Sequence, residues 1–134
     1  MSTAAAEALA DFERIAQAAH RFVYTKGPRE LADYLRHHLG RQTVAYITDT
    51  ADVNTVTRWA NGTAKPERSR TQKMRVAAEV HYILTTLFGS DESAADWFTG
   101  KSSVLTEMPA DLIRKNEIDR IFDTVRSVAE VIKA

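Results

Sequence analysis

Apolar residues along the chain recur at spacings of three and four, the period of amphipathic helices, and no run alternates strictly enough to make a strand. Leu9, Phe12, Ile15, Ala16, Ala19, Phe22 and Val23 share one face of a helix predicted from about residue 4 to 24, which Lys26 and Gly27 end. Pro28 suits a first helical position, where its missing amide hydrogen costs nothing, and Leu31, Leu35 and Leu39 line the helix that runs to Gly40. The segment QTVAYIT, residues 42–48, predicts a third helix of two turns with Val44, Ala45 and Ile47 inward. A long helix is expected from about Thr71 to Phe88, through Met74, Ala77, Ala78, His81, Ile83, Leu84 and Leu87. Ser90 can cap a short helix DESAADWF, Pro109 opens another through Leu112 and Ile113, and Ile118, Ile121, Phe122, Val125, Val128, Ala129 and Ile132 form a regular terminal stripe. The pattern predicts an all-α chain of about eight helices.

One predicted helix departs from this pattern. In DVNTVTRWAN, residues 52–61, Val56 and Trp59 supply an inward face three residues apart, which leaves Val53, Asn54, Thr55, Thr57, Arg58 and Asn61, mostly polar, for the outward faces. Asp52 is a good helix cap and Asn61-Gly62 a good stop, because both tolerate left-handed backbone. The helix is therefore bracketed at both ends while offering little to pack.

Net charge is zero over 134 residues, which by itself argues against a phosphate-rich partner, but the charge is segregated. Residues 41–88 hold seven basic and four acidic side chains, and residues 89–134 hold six and nine. Five of the basic groups lie in KPERSRTQKMR, Lys65 to Arg75, directly after the polar helix. No apolar stretch approaches the roughly 20 residues that span a bilayer, and acids stand at the start where a signal peptide would be apolar, so a cytoplasmic protein is expected. The chain has no cysteine, which excludes disulfides and thiolate metal sites such as zinc fingers.

Two short helices joined by a tight turn, the second polar and capped, match the pattern in which the second helix enters the major groove of DNA. Ala45, Val56 and Trp59 are then structural: Ala45 permits close helix contact and the other two anchor the reading helix. Asn54, Thr55, Thr57 and Arg58 are the expected base readers, because arginine pairs with guanine, asparagine with adenine, and threonine offers a methyl to thymine. Arg41, Gln42, Thr43, Asn61, Lys65, Arg68, Arg70 and Lys73 are the expected backbone or minor-groove contacts. Lys101, Ser102, Ser103, Arg114, Lys115 and Asn116 gather in and after later loops; they form either a second DNA-contacting surface or ordinary solvated loops.

The segment TVAYITDTADVNTVTRWANGTAKP resembles the helix-turn-helix of Xre-like bacterial and phage regulators. The stretch from Ala45 to Val56 is one residue longer than that pattern, and Asp49-Thr50 stand where its glycine is expected, so the register of base contacts shifts with the lengthened turn. Through RVAAEVHYILTTLFGSDESAADWFTGKSSVLTEMPADLI the chain is also similar to the partner-binding region of Xre/ParS-type antitoxins, and its overall layout looks most like the immunity repressors of mycobacterial phages. The resemblance covers roughly residues 40–125. It implies a helix-turn-helix domain over residues 1–70 followed by a small helical C-terminal domain over 71–134, and a lysogeny repressor that binds an operator duplex near the nucleoid of a bacterial host. The alternative is an antitoxin whose helix-turn-helix serves autoregulation and whose C-terminal region masks a toxin protein with an apolar surface near Trp97, Phe98 and Leu105.

Other chemistry is less well served. His37-His38 point about 100 degrees apart on a helix with no ligand partner four residues on, so a solvent-facing pair is expected, and His20 and His81 are read as lone packing or surface residues. The acids at 91, 92 and 96, and at 117, 119 and 123, sit near helix starts or on polar faces. There is no glycine-rich phosphate loop, serine elbow or useful histidine-acid spacing, so the expectation is no enzyme, no cofactor and no metal. A DNA-bending architectural factor would show apolar wedges, and none is evident. The terminal stripe leaves two arrangements open. It either dimerises, giving a palindromic operator, or packs on the 71–88 helix of its own chain, leaving a monomer with two DNA-contacting surfaces.

Overall fold

A computed structural model of the chain describes residues 3–100 and 107–133, and among the described residues it is all-α with no strand. The order is α1 (Thr3–Tyr24), α2 (Pro28–Leu39), α3 (Arg41–Ile47), α4 (Val53–Asn61), α5 (Arg68–Phe88), α6 (Asp91–Thr99), α7 (Pro109–Arg114) and α8 (Ile118–Lys133). Most bounds fall within a residue or two of the sequence pattern. The exception is α5, which begins at Arg68, three residues ahead of the expected Thr71. Its first turn is entirely polar, so hydrophobic periodicity carries no sign of it. Arg68 and Arg70 are consequently helical residues rather than parts of a trailing loop.

The long helix α5 is the axis of the fold. Helices α1, α2, α6 and α8 pack along it, with α3 and α7 touching it more lightly, while α4 lies mainly on α2 and α3. Met74, Ala77, Ala78, Val80, Ile83 and Leu84 of α5 are all fully buried. Burying a side chain of this kind contributes roughly 1.5–3 kcal/mol for the larger members. The boundary expected at residue 70 falls within α5, and the buried side chains on either side of it join one cluster that runs from Phe12 to Ala129. The apolar stripe of α8 is used inside the chain: Ile121, Val125 and Ala129 are buried and α8 packs chiefly on α1, with α5 second.

The polar helix α4 is held at both ends by the chemistry its sequence suggests. The Asp52 carboxylate accepts from the Asn54 amide at 2.9 Å, satisfying one of the unpaired donors of the first turn. At the other end Gly62 adopts φ +81°, and its amide and that of Thr63 close on the carbonyls of Trp59 and Arg58. A Cβ at Gly62 would lie 3.4 Å from the Arg29 side chain as well as forcing an L residue into left-handed backbone. Gly62→Ala is therefore expected to cost about 1–2 kcal/mol, read as a lowered urea midpoint at unchanged m-value. An unchanged midpoint would show that the helix end is not constrained there.

Candidate nucleic-acid interface

Helices α3 and α4 are joined by residues 48–52, and the joint is built from side chains as much as backbone. Thr48 is 1% exposed, and its hydroxyl bonds back to the Val44 carbonyl at 2.8 Å and pairs with the Thr50 hydroxyl at 2.9 Å. Asp49 takes φ +56°, so it fills the left-handed position for which a glycine was expected. Two arginines secure this strained residue. Arg70 donates to the carbonyls of Thr48 and Asp49 at 3.2 and 3.3 Å, and Arg114 donates to the Tyr46 carbonyl at 2.9 Å and the Asp49 carboxylate at 2.6 Å. The Arg114 guanidinium also stacks 4.5 Å from the Tyr46 ring centroid, and the Tyr46 hydroxyl donates to Asp111. Helix α7 is thereby fastened to the turn, and Gln42, Ala45, Tyr46, Asp49, Thr50, Ala51, Val53 and Arg114 line an open cavity beside it.

These contacts redistribute the expected DNA-facing set. Arg70, expected at the DNA backbone or minor groove, and Arg114, expected either on a second DNA-contacting surface or in an ordinary loop, both donate to the turn in the fold, with Glu67 as a further partner of Arg70 at 2.6 Å. Lys115 is paired with Glu107, and Asn116 occupies left-handed backbone at φ +63° between α7 and α8. Lys101, Ser102 and Ser103 lie outside the described residues, so the later surface is represented by Arg114, Lys115 and Asn116, each with a local structural task.

Around α4 the segregation of faces is clear. Val56, Trp59 and Ala60 are buried, with Ala45 buried beneath them on α3, whereas Asn54, Arg58 and Asn61 are exposed and Thr55 and Thr57 are half-buried. Val53, expected on an outward face, packs partly against the core, and Ala60 joins the inward face. Arg58 lies along the helix with its guanidinium donating to the Thr55 hydroxyl at 2.9 Å and 4.0 Å from the Asp52 carboxylate. Asn61 accepts from the Thr63 amide and hydroxyl at 3.1 and 2.7 Å. Arg41 reaches from α3 to the Thr57 hydroxyl at 3.4 Å, tying the outer faces of the two helices. Arg41, Gln42, Lys65 and Arg68 are exposed, and Thr43 and Lys73 half-buried.

A second cluster was not legible in the sequence. His81, 1% exposed on α5, lies between Tyr34 of α2 and Asp91, the first residue of α6. Its Nδ1 is 2.6 Å from the Tyr34 hydroxyl and its Nε2 is 2.7 Å from the Asp91 carboxylate, which His38 Nδ1 also approaches at 2.8 Å. A carboxylate only accepts, so both histidines present N–H to it and the Tyr34 hydroxyl donates to His81 Nδ1. His38 is thus not a solvent-facing partner of His37 but packs on the Tyr34 and His81 rings. The pairing escapes a local reading because His38 and Asp91 are 53 residues apart.

Burial pushes the His81 imidazole below its ordinary 6.5, and the hydrogen bond to Asp91 offsets only part of this. Burial also raises the Tyr34 hydroxyl, to about 12, with the Asp91 charge acting in the same direction. For Asp91, burial acts upward but the His38 and His81 bonds outweigh it, holding the carboxyl below 3.8. Both His81 and Asp91 therefore bind protons more readily in the unfolded chain, so acid favours unfolding. Thermal midpoints should hold above neutral pH and decline as pH falls through about 6.5, declining again in the carboxylate range. A profile flat from pH 8 to 5 would show that His81 protonates at no cost to the fold.

No family model, curated protein or solved structure matches the chain. No helix among the described residues is long and apolar enough to cross a membrane.

Proposed function

We propose that the chain is a sequence-specific DNA-binding repressor that acts by occupying an operator, with α3 and α4 as a helix-turn-helix. The observation that carries the reading is the division of α4: a capped helix of nine residues buries Val56, Trp59 and Ala60 and turns Asn54, Arg58 and Asn61 outward, immediately before the basic segment Lys65 to Arg75. Such a helix has its packing confined to one side and its hydrogen-bonding groups on the other, as base reading requires. In this reading Asn54, Thr55, Thr57 and Arg58 face base edges, and Arg41, Gln42, Thr43, Asn61, Lys65, Arg68 and Lys73 serve phosphates or the adjacent groove. The role in phage immunity rests on the resemblance of the overall layout to immunity repressors.

The antitoxin alternative requires an apolar surface around Trp97, Phe98 and Leu105. Phe98 is 0% exposed and Trp97 packs partly on the core, while Leu105 lies outside the described residues. Phe98 is therefore withdrawn from any toxin-masking surface.

Selection of duplexes from a randomised pool, followed by titration of the winner and of random DNA across salt, tests the proposal. The selected duplex is expected to bind about 10³-fold or more tighter than random DNA, and both affinities should fall steeply between about 50 and 200 mM salt. Failure to enrich any sequence, together with salt-independent or absent duplex binding, would sink the reading.

A further inference from the structure

We propose that His38, His81 and Asp91 form a binding site for one divalent transition-metal ion of the zinc class, with two imidazole nitrogens and one carboxylate oxygen as ligands. The three ligands come from three helices, α2, α5 and the first residue of α6, and their ligand atoms lie within 4.8 Å of one another. The reading is independent of any DNA function.

The geometry is close to what an ion needs. Tetrahedral ligands about 2.1 Å from zinc stand about 3.4 Å apart, whereas the Asp91 oxygen sits 2.8 Å from His38 Nδ1 and 2.7 Å from His81 Nε2. Admitting the ion requires the carboxylate to retreat by about 0.6 to 0.7 Å relative to that tetrahedral spacing, and the partly exposed His38 ring to swing toward His81, since the two ligand nitrogens stand up to 4.8 Å apart. Asp91 is able to move, because its side chain is 53% exposed, while the His81 side chain at 2% is fixed. One wall of the site is thus rigid, and the opposite wall is open to solvent and gives an entry path.

The surroundings suit a metal ligand. A ligating histidine is usually oriented by a hydrogen bond at its other ring nitrogen, and the Tyr34 hydroxyl stands 2.6 Å from His81 Nδ1. On binding, each histidine keeps a single proton and moves it to the far nitrogen. His81 then donates from Nδ1 to the Tyr34 oxygen, His38 carries its proton on Nε2, and no proton is released from the neutral rings. Burial disfavours the charged form of His81, which works toward an available lone pair. Imidazole with a single carboxylate favours zinc, nickel or cobalt over magnesium or calcium, which seek oxygen ligands. The ion would tie α2, the helix on which α4 rests, to α5 and α6.

Zinc chloride titrated calorimetrically into the chelator-stripped 134-residue chain tests the site, with cobalt absorption as the report on coordination. The expected result is one ion per chain and a thermal midpoint that rises with zinc. His38→Ala and Asp91→Asn, both at solvent-accessible positions, should each weaken zinc by at least about tenfold, and His37→Ala should leave it unchanged. Wild-type protein gives a second readout that needs no variant: zinc should shift the ring signals of His38 and His81 in NMR spectra and leave those of His20 in place. Absence of binding at millimolar zinc, affinity that survives both ligand replacements, dependence on His37, or ring shifts confined to His20 and His37 would each overturn the proposal.

Discussion

Trp59→Ala is expected to destabilise the protein by about 3–5 kcal/mol, the range for removing a buried aromatic side chain. Trp59 is 4% exposed on a helix of only nine residues, too short to persist in water without tertiary support. Its inward face consists of Trp59, Val56 and Ala60, so the indole is the largest part of what holds α4 against α2. Chemical denaturation followed by far-ultraviolet circular dichroism measures the loss, and Trp59→Phe should retain more stability by keeping an aromatic ring in the cavity. A loss below about 1 kcal/mol, the size expected of a surface change, would show that α4 is anchored elsewhere.

Under the proposed DNA-binding role, Arg58→Ala is expected to flatten sequence discrimination at one operator base pair by about 1–3 kcal/mol, the value of one bidentate base contact. The exposed guanidinium rests on the Thr55 hydroxyl and 4.0 Å from Asp52, so it is positioned along the helix and must exchange these partners for a base. Lys65→Ala provides the contrast. It should weaken selected and random duplexes by the same factor and reduce the salt slope by about one. Equal losses from both substitutions on both kinds of DNA would reassign Arg58 to the phosphate backbone.

Helix α4 was legible in the sequence because its limits are chemical: a capping Asp52 and a left-handed Gly62 speak for themselves without tertiary context. The inward pair Val56 and Trp59 followed from the helical period, and both are buried. The start of α5 was not legible, since Arg68, Ser69 and Arg70 show no apolar periodicity and the contacts of Arg70 with the turn carbonyls lie 22 and 21 residues away. Arginines proved the hardest to place. Composition registers Arg70 and Arg114 as positive charge, yet long side chains go where acceptors are, and here the acceptors are the turn carbonyls and Asp49. The missing turn glycine was visible, but that Asp49 itself would adopt the left-handed conformation depends on Arg114, which is 65 residues distant. Long-range polar pairs of this kind, like His38 with Asp91, leave no periodic trace.

The single core that crosses residue 70 bears on modularity. A fragment ending there would retain α1 to α4 but lose α5 beyond Arg70, against which both α1 and α2 pack, and with α7 the Arg114 clamp on the turn. The segment around α4 is therefore not a cassette to be grafted onto another scaffold. The outward residues of α4 can be altered only in place, with the rest of the chain acting as their jig.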